Sequence, residues 1–179
     1  MSFLDRPAGD LLDLFAAGKT VPGAVSAAAL QGALAASLLQ AVARYTKAEA
    51  LLKEAGERGE RLRRAVDEDA TAFQQYWGSR VEEDLRRAVD IPIAVAQDCA
   101  ALAVLGLDLY ETGFRNSRGE SAAAVLGALA AGEAALYAAS QNVKLSKDPG
   151  WAALRNEAIT SRGRELRELR ERLGNAMQG

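Results

Sequence analysis

Apolar residues recur along this chain at three- and four-residue intervals over long stretches. No strand-length segment alternates apolar and polar positions between turn signals, so the periodicity predicts helices throughout. Leu11 to Phe15 reads as a short amphipathic turn or helix, and Gly18 to Gly23 as the loop that ends it. Ala24 to Ala43 contains no charged residue, and its leucines and valine (Leu30, Leu34, Leu38, Leu39, Val42) spread around the helix; such a helix is expected to be central and buried on all sides. Glu49 to Glu60 is charged, with Gly56 and Gly59 marking an expected bend. Leu62, Val66, Phe73 and Tyr76 then fall on one narrow helical face with Asp69 in its middle, an acid where an apolar residue belongs. Pro92 is expected to kink or restart the next helix, whose stripe of Ile91, Val95, Leu102, Leu105 and Leu109 encloses Asp98. Gly113 to Gly119 is a loop. The following helix uses Val125, Leu126, Leu129, Leu136 and Tyr137, with Glu133 in the same arc. After Asp148-Pro149-Gly150, a last helix from Trp151 to about Leu173 has a seam of Ile159, Leu166, Leu169 and Leu173, flanked by i,i+4 opposite charges such as Arg164/Glu168 and Arg167/Glu171. The predicted architecture is all-α: one domain, residues 1–179, forming an antiparallel bundle of five or six long helices.

Composition sharpens this picture. The 179 residues are 49% hydrophobic but only 6% aromatic, with alanine making up the difference. The uncharged stretch from Ala24 is long enough to span a bilayer, yet Ala, Gly, Ser and Gln dominate it, which favours a helix packed inside protein. Ala28, Gly32 and Ala36 have the spacing that lets two backbones approach closely, within the bundle or at a subunit seam. The chain has no histidine, which excludes histidine-dependent hydrolases and His-ligated zinc and confines acid–base work to carboxylate, lysine, tyrosine or water. A net charge of -2 gives no general affinity for nucleic acid or anionic membranes. The single cysteine, Cys99, reads as core filler, and the absence of a basic leader segment reads as cytoplasmic.

Four segments taken in order, Val21-Pro22-Gly23-Ala24-Val25-Ser26 and on to Leu30, Val66 to Phe73, Asp90 to Ala96, and Asn116 to Ala124 leading to Gln141-Asn142-Val143-Lys144-Leu145, resemble the cyclodeaminase domain of formiminotransferase-cyclodeaminase and the related methenyltetrahydrofolate cyclohydrolases. The resemblance runs from about Leu11 to Leu173. It implies an all-helical homodimer acting on a one-carbon-substituted tetrahydrofolate as substrate, without metal or redox cofactor. The chain departs from the family pattern at Ala24 and Val25, which replace two glycines, at Lys47, which stands alone where lysines cluster, and at Gly119-Glu120, which replaces Ser-Asp. These departures leave a second reading open, a non-catalytic folate-binding or interaction module.

The resemblance implies catalytic roles for Asp69 and Glu120, and substrate contacts from Pro22, Gly23, Ser26, Lys47, Asn116, Ser117 and Asn142. Each also has a plainer reading. Asp69 can be half of a structural salt bridge to an arginine, since a lone acid in an apolar stripe costs several kcal/mol. Glu120 suits the first turn of its helix. Ser26 can be a cap or a small packing residue, and Asn116 and Asn142 can bridge loops. Asp98 and Glu133, without motif support, read as structural or interface acids, and Trp77 and Trp151 as packing anchors.

Overall fold

The alanine-rich periodicity folds as read: the computed structural model describes residues 2–178 and contains helices and loops with no strand among those residues. A short Ala8–Ala16 helix (α1) precedes five long ones, Ala24–Tyr45 (α2), Glu49–Ser79 (α3), Glu82–Thr112 (α4), Arg118–Val143 (α5) and Pro149–Gln178 (α6). The long helices run up and down through short connections. α4 is the central one, packed against α2, α3, α5 and α6.

That centrality corrects the expectation for α2. Its alanines face the core: Ala28, Ala29, Ala33, Ala35 and Ala36 are buried beside Leu39 and Val42, whereas Leu34 is 61% exposed and Leu30 and Leu38 are half-buried. The core side is lined by small residues because the neighbouring helices come close. A Cβ added at Gly59 of α3 would stand 3.1 Å from the Ala36 Cβ, and one at Gly106 of α4 would stand 2.5 Å from Val125 Cγ2. Gly59 therefore marks close approach of α3 to α2, and α3 runs through Gly56 and Gly59 as one continuous helix. By length and composition alone, α2, α4 and the segment Arg115–Val143 are each long and apolar enough to cross a membrane.

Pro92 neither breaks nor restarts α4. A proline inside a helix leaves the carbonyl four residues earlier without its donor. Here that carbonyl belongs to Ala88, and the Asn142 side-chain Nδ2 donates to it at 3.0 Å. An amide from α5 thus replaces the N–H that proline lacks.

Trp151 meets the expectation of a packing anchor, lying on a small second core of Tyr76, Leu85, Val89 and Val143. Helix α6 keeps the predicted seam, with Leu166, Leu169 and Leu173 buried, but its ion pairs differ from the i,i+4 set. Arg155 reaches Asp90 at 2.8 Å and Arg170 reaches Glu133 at 2.9 Å, each on a neighbouring helix. Tyr137 and Leu126 also depart from the predicted α5 stripe: they are 70% and 43% exposed, because the buried arc of α5 consists of Ala128, Ala131, Ala135 and Ala139 with Val125 and Leu129.

Candidate functional site

The loop before α2 ends at Pro22, which is buried, and Gly23, which precedes the helix in extended conformation. Ala24 and Val25 lie inside the first helical turn, so no left-handed backbone is needed where the family carries glycines. The next residue is Ser26. Its side chain is fully buried and its Oγ donates to Asp69 Oδ2 of α3 at 3.1 Å.

Asp69 is 6% exposed. The structural salt bridge open at the sequence level is not made, since no ion pair among the described residues includes Asp69. Burial pushes its carboxyl up to about 6, against the opposing pull of the Ser26 hydroxyl and backbone N–H. The start of α2 supplies a partial positive charge but no proton and no full counter-charge. Asp69 is thus a desolvated acid that titrates near neutrality and lacks a cation.

It opens into a cavity of about 290 Å³ lined by Thr20, Val21, Gly23 and Val25 on one side, and by Phe73 of α3 and Tyr137, Gln141 and Asn142 of α5 on the other. Asn142 is held in this wall by the bond its Nδ2 donates to the Ala88 carbonyl, which fixes its amide. The intact segment Asp67 to Phe73 divides its labour. Asp67 accepts from the Phe3 N–H at 2.8 Å and from the Ser2 hydroxyl, anchoring the N-terminal turn, while Asp69 and Phe73 face the cavity.

The structure brings together Pro22, Gly23, Ser26, Asp69 and Asn142. It places Lys47, Asn116, Ser117 and Glu120 at the opposite end of the bundle, one length of α2 away, or about 33 Å at 1.5 Å per residue. Gly113 and Thr46 meet there, a Cβ at Gly113 standing 3.6 Å from Thr46 Cγ2. Lys47, Asn116 and Glu120 are exposed, and Ser117 is buried with its Oγ on the Phe114 carbonyl at 2.8 Å.

The other two out-of-place acids are structural. Asp98 accepts from Arg58 Nη1 at 2.9 Å and from Arg61 Nε and Nη2 at 2.9 and 2.7 Å, and Glu133 is a surface acid paired with Arg170. Cys99 is fully buried, and burial pushes its thiol up to about 12. Among the described residues no three Cys, Asp or Glu gather as a metal site.

Phe73, Tyr137 and Gln141 line the cavity without having been singled out as site residues. Phe73 sits one helical turn past Asp69, and Tyr137 and Gln141 share the i,i+4 face that precedes Asn142, so spacing carried a signal. Trp77 is no packing anchor. It is 52% exposed, stacked on Phe73 with ring centroids 5.7 Å apart, and it carries the Arg80 guanidinium 3.6 Å above its ring centre.

Three comparisons bear on this site. The sequence profile of the formiminotransferase-cyclodeaminase family matches residues 7–161. A methenyltetrahydrofolate cyclohydrolase of Methylorubrum extorquens is 28% identical, the match covering 90% of this chain and 91% of that protein. The crystal structure of formiminotetrahydrofolate cyclodeaminase from Thermotoga maritima superposes with a TM-score of 0.92 at 19% identity, over 98% of both chains.

Proposed function

The chain belongs to the formiminotransferase-cyclodeaminase family, and on that premise we propose that it is a cytoplasmic enzyme that hydrolyses the methenyl bridge of 5,10-methenyltetrahydrofolate, with Asp69 as its general acid–base. The observation that carries the reading is Asp69 itself: a buried carboxyl titrating near 6, open to a cavity and without a cation of its own. The methenyl carbon lies between two nitrogens that share a positive charge. Bound beside Asp69, it is the counter-charge that the chain does not supply.

The chemistry then follows from one carboxylate and one water. Water adds to the cationic carbon as Asp69 takes a proton from it, giving a neutral carbinolamine. Asp69 returns that proton to N5 as the carbon–N5 bond breaks, and the carbinolamine hydroxyl loses its proton to solvent. One proton is released per 10-formyl product. A base of pKa near 6 is stronger than an exposed carboxylate and still ionised at pH 7, which suits this step. The full-length relationship to a cyclohydrolase supports hydrolysis over ring closure of a formimino group. The test is methenyl absorbance decay above the buffer rate, with ammonia release from formiminotetrahydrofolate measured in parallel. Ammonia without methenyl decay reassigns the reaction to deamination. A folate-induced rise in melting temperature with neither activity reassigns the chain to the binding-module reading.

The site extends across a homodimer in the same reading. α2 and α5 lie side by side, and their outward faces carry Gln31, Leu34, Ala123 and Leu126, with no charge from Ala24 to Ala43 or from Ser121 to Gly132; the next residue, exposed Glu133, is paired with Arg170 of α6. An antiparallel two-fold pairing of this face sets the Glu120 and Asn116 end of one copy against the Asp69 end of its partner. It unites residues that a single chain holds a helix length apart. Leu34→Glu, exposed in the single chain, is expected to give folded monomers by light scattering with activity lost. A fully active monomeric variant contradicts the shared site.

A further inference from the structure

The cavity beside Asp69 encloses about 290 Å³, and Phe73 lines it. A tetrahydrofolate bound there by its ring carries a benzoyl-glutamate tail, which the side chains continuing from Phe73 along α3 are placed to meet. Asp69, Phe73, Trp77 and Arg80 follow at i, i+4, i+8 and i+11, which puts all four on one face of α3 and its C-cap, rising about 16 Å from the first to the last.

Resting on the reading above, we propose that Phe73, Trp77 and Arg80 form the subsite for the substrate's aromatic and anionic tail, with Arg80 binding the glutamate carboxylate. Three observations support this assignment. Trp77 is half exposed in spite of its size, and its offset stack with Phe73 makes a continuous apolar edge leading out of the cavity. Arg80 is held by cation–π contact with Trp77 and Tyr76, and no acid of the described residues lies within ion-pair distance of it. Its guanidinium is therefore positioned by rings and keeps its hydrogen-bond donors for an external anion. A guanidinium suits a carboxylate in geometry as well as in charge. Lys47, the basic residue that the resemblance implies for this task, lies with Asn116 and Glu120 at the other end of the chain's own bundle and would reach this site only from a paired copy, so the two cations are compared directly.

Two measurements separate this subsite from the reaction. In the first, 5,10-methenyltetrahydrofolate is compared with the analogue that ends at the benzoate and lacks glutamate. Arg80→Gln is expected to raise KM for the full substrate about tenfold, the size of one charge-assisted bond, with kcat kept. The preference for glutamate disappears in this variant, whereas Lys47→Ala keeps it. In the second, Trp151→Phe leaves Trp77 as the one indole, and p-aminobenzoylglutamate alone is titrated against its fluorescence. A saturable change abolished by Arg80→Gln supports the subsite even where no turnover is seen. An active enzyme whose glutamate preference survives Arg80→Gln, or passes to Lys47→Ala, overturns the subsite and leaves the reaction standing. No fluorescence titration together with no turnover removes both.

Discussion

Asp69 and Asp98 pose one puzzle in the sequence, an acid within an apolar stripe, and the structure resolves them in opposite senses. Asp98 is neutralised by Arg58 and Arg61, so removing its charge leaves Arg61 without its partner, while Arg58 keeps Glu54 at 2.6 Å. Asp98→Asn is expected to destabilise the fold by about 2 kcal/mol in denaturant titrations. Asp69 has no such partner, and its native carboxyl titrates above its unfolded value. Its contribution to stability is fully present below pH 4 and is lost as pH rises through about 6, where ionising it in place opposes folding. The shift corresponds to about 3 kcal/mol. Asp69→Asn is therefore expected to stabilise the protein at pH 8, with the gain shrinking to nothing below pH 4, as melting curves across that range will read. No wheel separates these two acids, because the wheel shows where a side chain points and not what meets it.

At the scale of elements, helix identity and order were legible because long segments rich in helix-forming alanine and leucine are separated by clear Gly/Pro turn signals, with a one-sided stripe plainest in α3. Which helix is central was not. Leucine normally marks the buried side, but in α2 alanine takes it, since the contact with α3 leaves no room for more. The glycines make this testable with opposite signs. Gly106→Ala would press a methyl against Val125 and is expected to destabilise by about 1–3 kcal/mol. At Gly56 the nearest atom is Gln40 Oε1 at 3.7 Å, so Gly56→Ala meets ordinary contact and gains helix propensity, stabilising by about 0.5–1 kcal/mol. Pro92 and Asn142 are 50 residues apart in sequence, which hid their relation through the Ala88 carbonyl. Asn142→Ala is expected to lose about 1 kcal/mol, and to lose less in a Pro92→Ala background, where the helix recovers its own donor. Purely additive losses in that double-mutant cycle would show the carbonyl to be irrelevant.

For the whole molecule, one end of the bundle gathers a loop, a helix start, a buried acid and an amide into a cavity, and the other carries Glu120, Asn116 and Lys47. The order of the segments in the sequence made all of them visible as one candidate set. Their division between two ends was not, since it depends on the direction of each helix. The outer face of α2 and of α5 up to Gly132 carries no charge, which is why pairing belongs to the proposed function. The missing histidine also takes on a positive sense at this scale: in the proposed reaction acid–base work falls to a carboxyl, and burial brings Asp69 close to the pKa a histidine would have. The most direct test is the rate of methenyltetrahydrofolate hydrolysis above buffer between pH 5 and 8, for the unaltered protein and for Asp69→Asn. The account predicts a rate that rises with pH through an inflection near 6, and no excess rate from an Asp69→Asn protein that is folded and more stable at pH 8. An Asp69→Asn protein that hydrolyses the substrate as fast as the parent chain would contradict it.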